Sequence, residues 1–251
     1  MLETQPILQT IDLRKSFGMV VAADRINVTI MPRELVGIVG ANGSGKTTFL
    51  NLITGYLKPD RGRILLMGRD STGLPPRLVT KLGLARSFQI PQLYTGLSVL
   101  ENVLLSLAAR ENKSTDVWRP LYRSPWMQQG LEVLRRFGLE AYAYRPVAEL
   151  PEGGRKLLDI ALSFALQPKL LLMDEPTSGV SIEDKFEVMD TLMAVIKESD
   201  ITTIFVEHDM DVVQRYSQRV LVFDNGAVIA DGDPESVLAN PEVRKAVLGR
   251  E

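Results

Sequence analysis

Gly40-Ala41-Asn42-Gly43-Ser44-Gly45-Lys46-Thr47 meets the pattern G-x-x-x-x-G-K-[ST] at every position, and no other stretch constrains the fold as tightly. The pattern has physical content only between a strand and a helix. The apolar run Leu35-Val36-Gly37-Ile38-Val39 predicts a buried strand before it, and Thr47 to Leu57 predicts a helix after it. Three glycines let successive backbone N–H groups curl around an anion with no Cβ in the way, at the positive end of that helix. Lys46 adds a mobile charge for the β- and γ-phosphates, the Thr47 hydroxyl suits Mg²⁺, and Thr48 continues the first turn. The expected ligand is a nucleoside triphosphate; the alternative is a glycine-rich turn that binds nothing. By itself the loop supplies neither a base nor a cap over the γ-phosphate.

The rest of the composition is permissive. The chain has 251 residues, 45% of them apolar, enough for one large α/β domain or two smaller ones. A net charge of −2 argues against a general nucleic-acid binder, which carries a basic excess. With no cysteine, disulfides, thiol nucleophiles and cysteine-held metals are excluded. The N-terminus lacks the basic flank and apolar core of a signal peptide, and no stretch approaches the ~18 apolar residues of a membrane span. Any membrane role is therefore expected to come from a partner.

Before the loop, short β-like runs at Ile7 to Leu13, Val20 to Ala23 and Ile26 to Ile30 predict an antiparallel layer. Phe17 stands in a turn of that layer, where its ring either stacks on a base or packs. After the loop come a strand at Arg63 to Gly68, a short helix near Arg77 to Leu82 and a strand Leu84 to Gln89. Residues 90 to about 160 change to helical spacing, at Val99 to Leu107 and Met127 to Phe137. Between those helices, Trp118 to Trp126 interleaves aromatic and basic residues, read either as a surface for nucleic acid or lipid headgroups or as packing at a helix junction. Leu150-Pro151-Glu152-Gly153-Gly154 opens a further helix, with Pro151 expected at its first position. Two glycines in a first turn weaken a helix and suggest close approach of something to the backbone.

Lys169 to Glu175 reads as an apolar strand ending in two carboxylates, Asp174 and Glu175. Beside a phosphate loop such a pair suits an Mg²⁺ shell and an attacking water. A further strand, Ile201 to His208, ends in the only histidine of the protein; a lone histidine is more often structural than catalytic, but this one falls at the end where α/β sheets place ligands. Strands Val220 to Asp224 and Ala227 to Ala230, joined at Asn225-Gly226, close the reading.

This ordered set (Phe17, residues 40–47, Gln89, residues 150–154, Asp174-Glu175, His208) resembles the ATP-binding cassette (ABC) ATPase family over essentially the whole chain. The resemblance implies an α/β fold: a P-loop NTPase cassette with a RecA-like core, an N-terminal antiparallel β layer and an inserted helical subdomain. The expected division is one ABC ATPase domain, residues 1–89 and 162–251 forming layer and core and residues 90–161 the helical subdomain.

It also implies an enzyme with ATP and Mg²⁺ as cofactors. Phe17 would stack on adenine. Glu175 would be the general base, His208 would hold the γ-phosphate, and Gln89 would sense Mg²⁺ and the water while linking to a membrane partner. Thr47, Gln89 and Asp174 would share the Mg²⁺. Residues 150–154 would cap the ATP of a second subunit, head to tail. Two departures stand out. Pro151 occupies the place of a serine that contacts the γ-phosphate, and Ser181 the place of an aspartate after the catalytic glutamate.

Within the family, the segments Leu84 to Gln89 and Leu97 to Val103, the long insert near 110–130 and the ending Val243 to Gly249 look most like ATPase subunits of branched-chain amino acid importers and their urea- and amide-importing relatives. The partners so implied are a second ATPase subunit, identical or distinct, multi-span permease subunits and, indirectly, an extracytoplasmic solute-binding protein, with no nucleic acid. The expected location is peripheral, at the cytoplasmic face of the inner or plasma membrane. An exporter or lipid-extracting ATPase, and a soluble nucleic-acid- or ribosome-associated ABC protein, remain alternatives on sequence.

Overall fold

A computed structural model of the chain describes residues 5–111 and 124–248. They fall into two compact units, Met1–Leu84 with Asp200–Glu251, and Ala85–Ser199.

The first unit carries two sheets. One is antiparallel, in the order β2-β1-β4-β5, from β1 (Leu8–Phe17), β2 (Val20–Ile30), β4 (Arg61–Leu66) and β5 (Arg69–Asp70). The sequence predicts two short strands where β2 runs unbroken. The β1–β2 register slips around Asp12 of β1 and around Arg25 of β2, both with positive φ, so the polar break at residues 24–25 is a bulge rather than a turn. In the other sheet β3 (Leu35–Val39) lies parallel to both β8 (Thr202–Val206) and β9 (Arg219–Asp224), with β10 (Ala227–Gly232) antiparallel on β9. All five residues of β8 are buried and β3 nearly so, as a strand covered on both faces requires. Gly37 belongs to that covering: a Cβ there would stand 3.1 Å from Val213 Cγ1 of α7 (Met210–Tyr216), so its absence lets the helix lie close.

Helix α1 (Lys46–Ile53) follows the loop and ends four residues earlier than the predicted Leu57, because Gly55 turns the chain with φ +80°. Arg219 ties the two sheets together. It donates to Asp231 at 2.6 and 2.7 Å, to Glu34 at 3.1 Å and to the Thr29 carbonyl at 2.9 Å.

In the second unit β6 (Leu84–Arg86) and β7 (Leu170–Asp174) are neighbours, and the Ser87 N–H donates to the Leu172 carbonyl at 2.9 Å. The predicted strand to Gln89 stops at Arg86, so Gln89 stands on the loop beyond it. Three helices stand where the sequence predicts them, α3 (Val99–Arg110), α4 (Ser124–Arg136) and α5 (Glu152–Ala165), and α6 (Asp184–Lys197) is a fourth that the sequence reading missed. Ser98 and Glu101 form a reciprocal capping box that starts α3. Phe137 and Phe164 meet edge to face at 5.4 Å, and Leu100, Val103, Leu104 and Leu134 complete a buried helical core.

Of the aromatic-basic stretch, residues 118–123 lie outside the described residues. Trp126 is buried and donates its indole N–H to Glu111 at 2.9 Å, which is the packing alternative at that residue. Among the described residues no helix is long and apolar enough to cross a membrane.

Candidate functional site

In the first unit the phosphate loop is shaped by backbone strain that only glycine relieves. Gly40 and Gly45 have φ +152° and +106°. A Cβ on Gly40 would lie 2.3 Å from the Phe223 carbonyl, and one on Gly45 2.5 Å from that of Ala22. The loop is braced from behind. The Gly226 N–H donates to the Ser44 carbonyl at 2.9 Å, while the Gly226 carbonyl accepts from Asp24 at 2.8 Å. Asn225 and Gly226 both have positive φ, as a two-residue hairpin turn demands, so the predicted turn doubles as the loop's buttress.

The Lys46 ammonium is buried and donates to the Gly40 and Ala41 carbonyls at 2.7 and 2.9 Å. Gly45, the N-cap residue of α1, supplies no side-chain cap, and the positive end of the helix favours an anion there. The Ser44 hydroxyl is buried without a hydrogen-bond partner, a polar atom aimed into the loop. That orphan and the glycine cradle fit a phosphate. Asn42 and Thr47 are exposed. Phe17 ends β1 with its ring half exposed, and the Lys15 ammonium lies 5.7 Å from the ring centroid. His208 is exposed just beyond β8, and its N–H donates to Glu207 at 3.2 Å.

The second unit gathers the carboxylates. Asp174 ends β7 and forms a 2.5 Å ion pair with Arg86, their side chains 11% and 7% exposed. Glu175 follows with φ +50°, a left-handed conformation that glutamate adopts at a cost and that turns its carboxylate away from the strand's alternation. The Gln89 amide donates to that carboxylate at 2.6 Å. Sequence spacing of 86 residues brings these two into one site.

Beneath them stand two charges that sequence reading missed. Lys156 is buried in α5 and donates to the Gln89 carbonyl and, at 3.4 Å, to the Glu175 carbonyl. Asp159 accepts from the Phe88 N–H at 2.9 Å and the Gln92 N–H at 3.1 Å. Burial pushes the Asp159 carboxyl above the usual carboxylate range, opposed by those two N–H groups and by the charge of Lys156. The available signal was a lysine and an aspartate three apart on a helix whose other buried positions, Ser163 apart, are apolar.

The signature-like turn starts its helix one residue later than expected. Pro151 is the extended residue capping α5, one place before the first helical position, and it provides no side-chain cap. Its ring fixes φ while ψ stays at +163°, so the helix begins only at Glu152. Gly153 gives its space to protein: a Cβ there would stand 3.2 Å from Val188 Cγ2 of α6. Leu150 is buried, and Pro151 and Glu152 are exposed. Ser181 stands two residues before Glu183, the N-cap residue of α6, and its hydroxyl donates to Asp184 at 2.7 Å and accepts the Asp184 N–H at 3.1 Å.

Among the described residues no group of three or more histidines, acids or cysteines could hold a metal on its own. Thr47 in the first unit, and Gln89 and Asp174 in the second, each carry a hard oxygen donor of the kind Mg²⁺ takes.

The ABC transporter family model matches residues 23–178, and a branched-chain amino acid ATP-binding cassette transporter model matches residues 227–251. The chain is 34% identical to the high-affinity branched-chain amino acid transport ATP-binding protein LivG of Escherichia coli (strain K12), over 98% of this chain and 99% of that one. It is 31% identical to BraF of Pseudomonas aeruginosa, named for the same transport, over 98% and 99%. Among solved structures it is similar to MJ1267, an ATP-binding cassette of an ABC transporter, in its ADP conformation. That likeness has a TM-score of 0.88 at 30% identity and covers 98% of this chain and all of that one. The dimeric cassette MJ0796 is a further likeness, with a TM-score of 0.76 at 26% identity over 90% of this chain and 98% of that one. Loop, carboxylates, fold and relatives agree, and the chain belongs to the ABC transporter family as one of its ATP-binding cassettes.

Proposed function

We propose that the chain is the ATP-hydrolysing subunit of an ABC importer for branched-chain amino acids or related small polar solutes. The observation that carries the solute class is the match of residues 227–251 to the branched-chain cassette model, beside relatives named for that transport over nearly their whole length. The working assembly pairs two cassettes on multi-span permease subunits at the cytoplasmic face of the membrane, fed by a solute-binding protein. Residues 90–161 form its helical subdomain, and residues 1–89 and 162–251 its β layer and core.

In this reading residues 40–48 hold the ATP phosphates, with Lys46 leaving the loop carbonyls for the β- and γ-phosphates, and Phe17 stacks on adenine. Thr47, Gln89 and Asp174 hold Mg²⁺, which when bound offsets negative charge on the phosphates. Glu175 accepts the proton of the attacking water, and the Gln89 amide on its carboxylate sets where that oxygen points. His208 donates to the γ-phosphate. Leu150, Pro151, Glu152, Gly153 and Gly154 face the ATP of the second cassette.

The test is Glu175→Gln in the full chain purified with its membrane subunits. ATP binding is retained and turnover falls about 10²- to 10⁴-fold; turnover at the wild-type rate removes Glu175 as base. Solute uptake by the same complex in vesicles, stimulated by leucine, isoleucine or valine and not by urea or amides, decides the solute class.

A further inference from the structure

Lys156 and Asp159 lie one turn apart on the inward side of α5, 3% and 5% exposed, and neither has a role in the reading above. Buried charges are costly unless well hydrogen-bonded, and apolar residues would pack a helix against a loop with less penalty. Their partners are backbone atoms of two functional segments. Asp159 holds the N–H groups of Phe88 and Gln92, on either side of Gln89, and Lys156 holds the carbonyl of Gln89 itself. The same ammonium reaches the carbonyl of Glu175. One side chain thus connects the segment bearing the amide with the segment bearing the carboxylate that the amide meets at 2.6 Å.

We propose that Lys156 and Asp159 are positioning residues for ATP hydrolysis, a two-charge clamp by which α5 sets the Gln89 amide against the Glu175 carboxylate. Neither touches nucleotide; both act through Gln89. A carbonyl held at each end keeps two loops in one register, where apolar packing would allow sliding of a fraction of an ångström, and such displacements cost turnover rather than binding. Because α5 begins at the signature-like turn, any tilt of its start is passed to Gln89 within two helical turns. The inference rests on Glu175 being the base.

The experiment is a double-mutant cycle in the full chain purified with its membrane subunits, comparing Lys156→Met, Gln89→Ala and both together by ATPase kinetics and fluorescent ATP-analogue binding. Lys156→Met lowers kcat about 10- to 100-fold while the analogue Kd and the KM for ATP stay within about twofold. In the Gln89→Ala background the same change lowers kcat by less than about twofold, since the residue it acts through is gone. Equal losses in both backgrounds, or an unchanged kcat, overturn the proposal. Should Lys156→Met not accumulate as folded protein, Asp159→Asn, nearly isosteric, carries the same comparison with the same two outcomes. Glu175→Gln is run alongside. Wild-type turnover in that variant removes the base assignment, whereas an inactive Glu175→Gln with additive Lys156 and Gln89 effects removes the clamp alone.

Discussion

Replacing Arg86 by methionine tests how strongly the acidic end of β7 depends on its counter-ion. The guanidinium lies 2.5 Å from Asp174 with both side chains nearly covered. Methionine keeps most of the arginine stem's volume, so the loss reports charge rather than a cavity. Removing one member of a buried pair costs about 3–5 kcal/mol, because the remaining ion is left in a poor solvent. Asp174 is 11% exposed and can recruit some water, which places the expected loss at the lower end, about 3 kcal/mol. Against a typical total stability of about 5–15 kcal/mol, that moves a urea midpoint readily. Arg86 also lies 5.5 Å from the Phe88 ring, so the single variant reports more than the pair. The cycle with Asp174→Asn separates them: in the double variant the carboxylate charge is absent, and about 2 kcal/mol of the Arg86→Met loss should disappear. A single-variant loss below about 1 kcal/mol, or losses that simply add in the double variant, would refute the buried-pair argument.

Pro151→Ser restores a hydroxyl that can cap α5, worth about 1 kcal/mol of stability. It also returns a charge-assisted hydrogen bond of about 1.5–3 kcal/mol to the partner's γ-phosphate, so the assembled complex hydrolyses ATP faster; an unchanged rate sinks the idea that proline slows this site. Two carboxylates carry opposite pH signatures. The raised Asp159 group favours the fold below its ordinary value near 3.8 and loses that contribution as pH rises through the raised one, so wild type loses stability relative to Asp159→Asn above about pH 4. Asp70, held down to about 2 chiefly by hydrogen bonds from Thr72 and then from Arg63, contributes above pH 3.8 and loses that contribution as pH falls towards 2. Urea midpoints from pH 2 to 7 for wild type, Asp159→Asn and Asp70→Asn check both slopes, and reversed signs would contradict the assigned environments.

Local chemistry was legible in the sequence wherever the cause is local. The phosphate loop, the helix spacing of α3 and the Asn225-Gly226 turn each depend on residues within a few positions, and all three stand as read. The bulge at Asp12 and Arg25 was not legible, because a two-residue break in a strand looks like a turn until its partner strand is known. Gly153 and Gly154 together suggest close approach of something to the backbone. The missing Cβ of Gly153 faces Val188, a residue 35 positions on, which no local pattern indicates. Lys156 is the sharpest case: a lysine in an amphipathic helix reads as solvated, and only the loops that close over it make it a buried charge.

The contact between Gly226 and Ser44 gives the loop an order of assembly. The eight residues that carry the phosphate-binding pattern are made early, yet the N–H that braces their backbone belongs to a turn 182 residues later. While the chain is being synthesised, the loop therefore stands without its buttress until β9 and β10 have paired and β9 has joined β3. Long-range pairings of this kind form late in folding. Nucleotide binding thus becomes a property of a chain made at least as far as β10, and a product that stops before Gly226 would carry the complete pattern without the brace that holds it in shape.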